Sequence, residues 1–447
     1  MLLEVVDLNF THVGQKQPTI QNINLTLQAG ELVVLAGATG SGKSTLLNCI
    51  TGIAPEYTGG KLSGQVLYRG SEITHNSIRQ RSQFMGIMLQ NVETQLFTDQ
   101  VWNEVVFGLE NWNLPPEQIK SLASATLMEF DLVSQKAWAI RQLSAGQKQR
   151  LLLACLLTQH QDILLLDEPF AFLDTAGVKL LLELLQQRVT QGQAVLLIEH
   201  RLELLQHLCD RAYFINNGCI KPGELSTPTA EDSASPVPAN YSPPGSQYEV
   251  VLQTQNLSWG GYPAFPDLQV AAGEVVLLKG DNGCGKTTLL KLLSGLLKPS
   301  TGRLEILGRD LTRSTVVKIA RFVGFVLQNP NHQLFAESVQ AEVTQSGVSP
   351  KKAEALLEQL NLNHCLEQHP HALSQGQKRR LALGAVLVRQ PRICLLDEIM
   401  VGQDPTSLTL MLQTLKTFTE QGGVLIFTSH DPGVAKILNP RVVQLTK

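Results

Sequence analysis

The apolar and polar positions of this chain fall into two kinds of run, and each kind occurs in both halves. Alternation at Ile23-Asn24-Leu25-Thr26-Leu27, following Leu8-Asn9-Phe10, predicts antiparallel strands with one buried face; shorter counterparts stand at Leu257-Ser258-Trp259 and Leu268-Gln269-Val270. Unbroken apolar runs at Leu32 to Ala36, Ile163 to Leu166, Val275 to Leu278 and Ile393 to Leu396 predict strands buried on both faces, as in a parallel sheet covered by helices. A helical pattern begins soon after two of them, at Leu46-Leu47 and Leu289-Leu290. The predicted class is α/β, with a mostly parallel sheet core and an antiparallel part in each half. No apolar run approaches the roughly 18 residues of a membrane span.

The same pattern sets the boundaries. Residues 221–247 are rich in proline and serine, poor in aliphatic side chains, and contain only Lys221 as a base, so they read as an extended linker. Residues 1–220 and 248–447 are then the two domains. A length of 447 residues suggests about three domains, but the repetition argues for two, each long enough to bury a core of its own.

Between strand and helix in each half stands a glycine-rich loop: Gly37-Ala38-Thr39-Gly40-Ser41-Gly42-Lys43-Ser44-Thr45 and Gly280-Asp281-Asn282-Gly283-Cys284-Gly285-Lys286-Thr287-Thr288. Both match G-x-x-x-x-G-K-[ST] in the strand, loop, helix context that the motif requires. Glycines let backbone N–H groups turn inward around phosphate oxygens, and the helix N-terminus adds the positive end of its dipole. Lys43 and Lys286 would reach the terminal phosphates, and Ser44 and Thr287 would supply a hydroxyl to Mg²⁺. One such loop alone leaves a chance glycine-rich turn open; two in matching context do not.

Register carries the comparison further. Lys43 and Lys286 are 243 apart, Gln90 and Gln328 are 238 apart, and Ser144 and Ser374 are 230 apart. From there the offset holds at 230 through Asp167 and Asp397, Glu168 and Glu398, and His200 and His430. Divergence is concentrated between Gln90 and Ser144, where Phe107-Gly108-Leu109-Glu110-Asn111-Trp112 has no counterpart in the second half. The runs ending in Asp167-Glu168 and Asp397-Glu398 place two acids at the edge of a parallel sheet where ligands bind. The aspartates suit a Mg²⁺ shell, and the glutamates suit orienting or deprotonating an attacking water. Taken singly, an acid there is also an ordinary strand end, and a histidine such as His200 or His430 an ordinary structural one.

Composition narrows the partners. The formal net charge of -3 and the absence of a basic stripe give no footprint for nucleic acid. The seven cysteines occur singly, which indicates neither a disulfide framework nor a zinc site and fits a reducing, cytosolic setting. Met1 to Asp7 has two acids and no basic segment, so it does not read as a secretory signal.

Leu143-Ser144-Ala145-Gly146-Gln147 and Leu373-Ser374-Gln375-Gly376-Gln377 each precede a helix, and as bare sequence each is a serine N-cap. They also resemble the LSGGQ signature of ATP-binding cassette (ABC) ATPases, a resemblance that covers nearly the whole chain outside the linker. It implies two tandem ABC-type P-loop domains, each with an added helical subdomain, closing head to tail as an intramolecular pseudo-dimer around two ATP molecules. One site would combine Gly37, Gly40, Gly42, Lys43, Ser44, Thr45, Gln90, Asp167, Glu168 and His200 with Ser374 and Gly376. The other would combine Gly280, Gly283, Gly285, Lys286, Thr287, Thr288, Gln328, Asp397, Glu398 and His430 with Ser144 and Gly146. Mg²⁺ would be held by Ser44, Asp167 and Gln90 in one and by Thr287, Asp397 and Gln328 in the other. The pattern departs from the family at Ala145, Gln375 and Ile399-Met400. His12 and Gly261 stand where an aromatic usually stacks on adenine, with Tyr262 adjacent.

A second shared block follows each glutamine: Gln95-Leu96-Phe97, Asp99 and Glu104 in one half, Gln333-Leu334-Phe335, Glu337 and Glu342 in the other, all 238 apart. It resembles a stretch of the ATPases of energy-coupling factor importers, which take up vitamins, their precursors, or cobalt and nickel ions. The resemblance implies transmembrane partners, a shared coupling subunit and a substrate-binding subunit, with this chain peripheral on the cytoplasmic face of the membrane. Leu96, Phe97, Leu334 and Phe335 would line the docking groove, and the four acids would attract partner arginines. A soluble twin-cassette ATPase acting on ribosomes or RNA, or the fused ATPase of another importer, is the competing expectation.

Overall fold

The computed structural model describes residues 1–38, 40–159, 161–223, 249–260, 263–281, 283–344, 347–400, 403–429 and 431–446. Thr39, Gly261, Tyr262, Asn282, His430 and the expected linker from residue 224 onward lie outside the described residues. Two compact units are present, residues 1–232 and 233–447.

In the first unit the alternating segments form a four-stranded antiparallel sheet, in spatial order Ile20–Leu27, Leu3–Thr11, Lys61–Tyr68 and Ser71–Glu72. Ile20, Ile23, Leu25 and Leu27 turn inward, and the polar residues between them turn away. The continuous apolar runs form a separate six-stranded sheet, in order Cys219–Gly223, Arg211–Asn216, Leu32–Ala36, Ala194–Ile198, Ile163–Asp167 and Met85–Met88. All neighbours in it are parallel except the first pair.

Alternation within those runs divides the core in two. Ile163 and Leu165 pack with the antiparallel sheet and the phosphate-loop helix Lys43–Thr51. Leu164 and Leu166 pack against Val101–Glu110, Pro116–Glu129, Ala145–Leu157 and Thr175–Thr190. Both faces are therefore covered, which is why these strands need no polar side.

The second unit repeats the plan. Its antiparallel sheet runs Gln269–Ala271, Val250–Ser258, Thr301–Ile306, Arg309–Asp310, and its parallel sheet Val323–Val326, Ile393–Asp397, Val424–Thr428, Val275–Lys279, Arg441–Gln444. The divergence expected between Gln90 and Ser144 shows as length: Val101–Glu110 has 10 residues, and its counterpart Val339–Thr344 has 6. Among the described residues no helix is long and apolar enough to cross a membrane.

Candidate functional site

Parallel pairing aligns the strand ends that matter. Leu35 is in register with Ile198, and Ile198 with Asp167, so the glycine-rich loop after Ala36, the acids at 167–168 and His200 share one edge of the sheet. The second unit aligns Leu278 with Thr428, and Thr428 with Asp397.

Backbone geometry makes the loop a cradle. Gly42 and Gly285 start their helices at φ 107° and 97°, a left-handed conformation that side chains rarely adopt. At Gly37 a Cβ would lie 2.4 Å from the Ile215 carbonyl oxygen, and at Gly280 it would lie 2.5 Å from that of Leu445, so only glycine fits beside the neighbouring chain. The helices Lys43–Thr51 and Lys286–Leu293 have no side-chain cap and no acid in the first turn. Their first N–H groups are thus left for an anion. The buried Lys43 donates from Nζ to the carbonyls of Gly37 (2.7 Å) and Ala38 (2.8 Å), and Lys286 to those of Gly280 (2.6 Å) and Asp281 (3.2 Å). Thr45 Oγ1 lies 3.5 Å from His12 Nε2. Gly40 and Gly283 lie in the loop with φ 82° and 84°, and Thr288 in the helix that follows the second one.

The hydroxyls next to the lysines meet the strand-end aspartates. Ser44 Oγ donates to Asp167 Oδ2 (2.7 Å), and Thr287 Oγ1 to Asp397 Oδ2 (2.8 Å). Asp397 Oδ1 accepts a further bond from Thr428 (3.0 Å). Burial, then the adjacent Glu168 charge, pushes Asp167 well above the usual carboxylate range. Burial pushes Asp397 up to about 6 against the pull of the Thr287 hydrogen bond. A buried carboxylate beside a hydroxyl is the hard-oxygen donor set that Mg²⁺ takes, with phosphates and water completing it. No cluster of three or more His, Cys, Asp or Glu suited to a metal occurs among the described residues.

Glu168 and Glu398 follow at φ 54° and 50°. Such a backbone costs on the order of 1–3 kcal/mol for a non-glycine residue and persists where the surrounding structure fixes it. His200 Nε2 lies 3.3 Å from Glu168 Oε1, and Glu398 Oε2 accepts from Gln328 Nε2 at 2.8 Å. Gln90 is half-buried just past the strand Met85–Met88.

Ser144 and Ser374 are N-caps: each accepts the N–H of the glutamine three residues on (3.3 Å), whose side chain accepts the serine N–H (2.9 Å). Gly146 and Gly376 are buried in the first turns. Among the described residues no hydrogen bond links either serine or glycine to the phosphate loop of its own half.

The second shared block departs from expectation. Phe97 and Phe335 are 75% and 77% exposed, with Asp99 and Glu337 also exposed, but Leu334 is buried in the core of the second unit and Leu96 packs partly buried against that of the first. Glu104 and Glu342 do not face outward. The Glu104 carboxylate accepts from Phe97 N–H (3.1 Å), Thr98 N–H (2.7 Å) and the Thr98 hydroxyl (2.8 Å). Glu342 accepts from the N–H groups of Phe335 and Ala336, both at 2.8 Å. These acids hold the loop that displays the phenylalanine, so they are unavailable to partner arginines. Gln95 clamps the other side, its side chain accepting from Leu89 N–H (2.9 Å) and donating to the Leu89 and Asn91 carbonyls (both 2.8 Å); Gln333 accepts from Leu327 N–H (2.7 Å). Gln149, Glu199 and Arg201, which the repeat pattern does not mark, bond to backbone at or beside Glu168 and His200.

Comparison with known proteins agrees with this geometry. A family model described as ABC transporter matches residues 20–171 and 266–401. A Methanosarcina acetivorans ABC transporter ATP-binding protein is 31% identical over 99% of this chain and 83% of its own length. The Bacillus subtilis HMP/thiamine import ATP-binding protein YkoD is 30% identical over 96% of this chain and 87% of its own length. Among solved structures, the archaeal ribosome recycling factor aABCE1, in complex with the ribosomal stalk protein aP1, shares the fold with a TM-score of 0.63 at 19% identity, covering 98% of this chain and 87% of that one.

Proposed function

The chain belongs to the ABC transporter ATP-binding family as a tandem fusion of two ATPase domains, and from that premise we propose that it energises an importer of the energy-coupling factor type, for a vitamin, a vitamin precursor, or cobalt or nickel ions. In this reading Lys43 and Lys286 hold the terminal phosphates of ATP. Mg²⁺, supplying charge neutralisation on those phosphates, is held by Ser44, Asp167 and Gln90, and by Thr287, Asp397 and Gln328. Glu168 and Glu398 orient the attacking water and take its proton, with His200 and His430 beside them. Ser374 with Gly376, and Ser144 with Gly146, complete the site of the opposite half, so that ATP draws the halves together and hydrolysis releases them.

The observation that carries the importer reading is the pair of exposed phenylalanines. Phe97 and Phe335 stand at matching positions, each accompanied by an exposed acid and tied through Gln95 or Gln333 to the segment holding Gln90 or Gln328. A partner seated on them would feel the site through that tie. The likeness to YkoD supports import of a thiamine-related compound as one cargo. The likeness to aABCE1 supports the fold and nothing about ribosomes. The test is to purify the tagged chain from detergent-solubilised native membranes and identify its companions by mass spectrometry. One large and one small hydrophobic protein support the reading; ribosomal proteins in their place refute it.

A further inference from the structure

We infer that Glu199 and Arg201 are positioning residues that hold His200 and Glu168 as one unit. This rests on the reading of Glu168 and His200 as catalytic. Glu199 follows the strand Ala194–Ile198 and is 4% exposed. Its Oε1 accepts the N–H groups of His200 (2.8 Å) and Arg201 (3.0 Å), fixing the turn that carries the imidazole. Its Oε2 is buried and accepts nothing among the described residues. A carboxylate buried with one oxygen unsatisfied costs stability. Its presence is explained by what the other oxygen holds.

Arg201 reaches the opposite way. It donates from Nη2 to the Phe170 carbonyl (2.6 Å), while its Nε lies 3.8 Å from Glu199 Oε1. Phe170 belongs to the segment leaving Glu168, and Gln149, on the helix capped by Ser144, grips the same segment. Gln149 Nε2 donates to the carbonyls of Glu168 (3.3 Å) and Pro169, and its Oε1 accepts from Phe172 N–H (3.2 Å). Glu168 and His200, 3.3 Å apart, are therefore anchored to each other through the backbone on both sides. At the positions 230 residues on stand Ser429, Asp431 and Arg379. Ser429 accepts one N–H, from Asp431 at 3.1 Å, and an aspartate has no cation to offer a carbonyl.

The test measures ATP turnover of the full chain carrying Glu398→Gln, or of the otherwise wild-type chain if Glu398→Gln alone is silent, which would show that the two sites act together. Adding Glu168→Gln comes first; turnover that survives it overturns the catalytic reading, and the inference with it. With that reading standing, Glu199→Ala lowers kcat about tenfold, the scale of the net contribution of one hydrogen bond, while KM for ATP moves less than twofold. Glu199→Gln keeps the Oε1 acceptor and retains more than half of kcat. Arg201→Met slows turnover as Glu199→Ala does, and the double variant is no slower than either. A kcat within twofold of the parent in Glu199→Ala, or a loss confined to KM, overturns the inference, as does Glu199→Gln falling as far as alanine. Should Glu199→Ala not fold, the half-exposed Arg201→Met decides, and an unchanged kcat there overturns it.

Discussion

Replacing Glu104 with alanine separates two roles that one residue could have. As a surface acid attracting a partner, it would leave the free protein untouched when removed. As the structure has it, the carboxylate satisfies three donors, Phe97 N–H, Thr98 N–H and the Thr98 hydroxyl, from a position 5% exposed. Bonds to a charged group contribute about 1.5–3 kcal/mol each, and Phe97, being exposed, regains water at its N–H when the acid is gone. The expected loss is about 3 kcal/mol. For Glu342→Ala two donors are lost, one of them the buried Ala336, and about 2 kcal/mol is expected. In a domain of this size such losses lower Tm by roughly 2–4 °C per kcal/mol. Differential scanning calorimetry of the full chain, with amide exchange read over residues 95–100, follows both the loss and its place. A Tm within 1 °C of the parent together with unchanged exchange in that loop would refute the bracing role.

Lys43→Ala and Lys286→Ala should each remove one of two nucleotides bound per chain, counted by equilibrium dialysis with a labelled ATP analogue; two remaining nucleotides in either variant would contradict the loop assignment. Phe97→Ser combined with Phe335→Ser should abolish co-purification with membrane partners while leaving basal ATPase within about twofold, since both rings are exposed; retained partners would count against the docking face. Asp397→Asn tests the buried carboxylate. Its folded-state pKa, about 6, lies above the ordinary 3.8, so ionising it weakens the fold progressively as pH rises through 6, by up to about 3 kcal/mol once fully charged. The variant should raise the Tm of the nucleotide-free protein at pH 8 more than at pH 5 while lowering, in a chain whose other site carries Glu168→Gln, the remaining Mg²⁺-dependent turnover at least a hundredfold. A Tm lowered equally at both pH values would argue against it.

The parts of this molecule written locally were legible. A short unbroken apolar run leading into a glycine-rich loop fits a strand covered on both faces, and a loop that needs Gly42 at φ 107° shows its glycine in the sequence. Duplication then turned common motifs into specific ones. What escaped were residues whose environment comes from the chain folding back. Glu104 stands in the first turn of Val101–Glu110, where an acid is normally solvated, and only the return of Phe97 and Thr98 over it buries the charge. Leu334 looks like its exposed neighbour Phe335 in one dimension, but lies on the other side of a loop. Glu199 left no trace in the repeat, because its counterpart is Ser429.

The left-handed backbone at Glu168 and Glu398 bears on how such a chain ages under mutation. Glycine is the residue that relaxes that conformation, so Glu168→Gly and Glu398→Gly lie on a downhill route in folding while removing the carboxylate proposed to handle water. A lineage that lost its need for one site would be free to slide toward a firmer, silent half. Both halves carry the glutamate there, as two working sites would require.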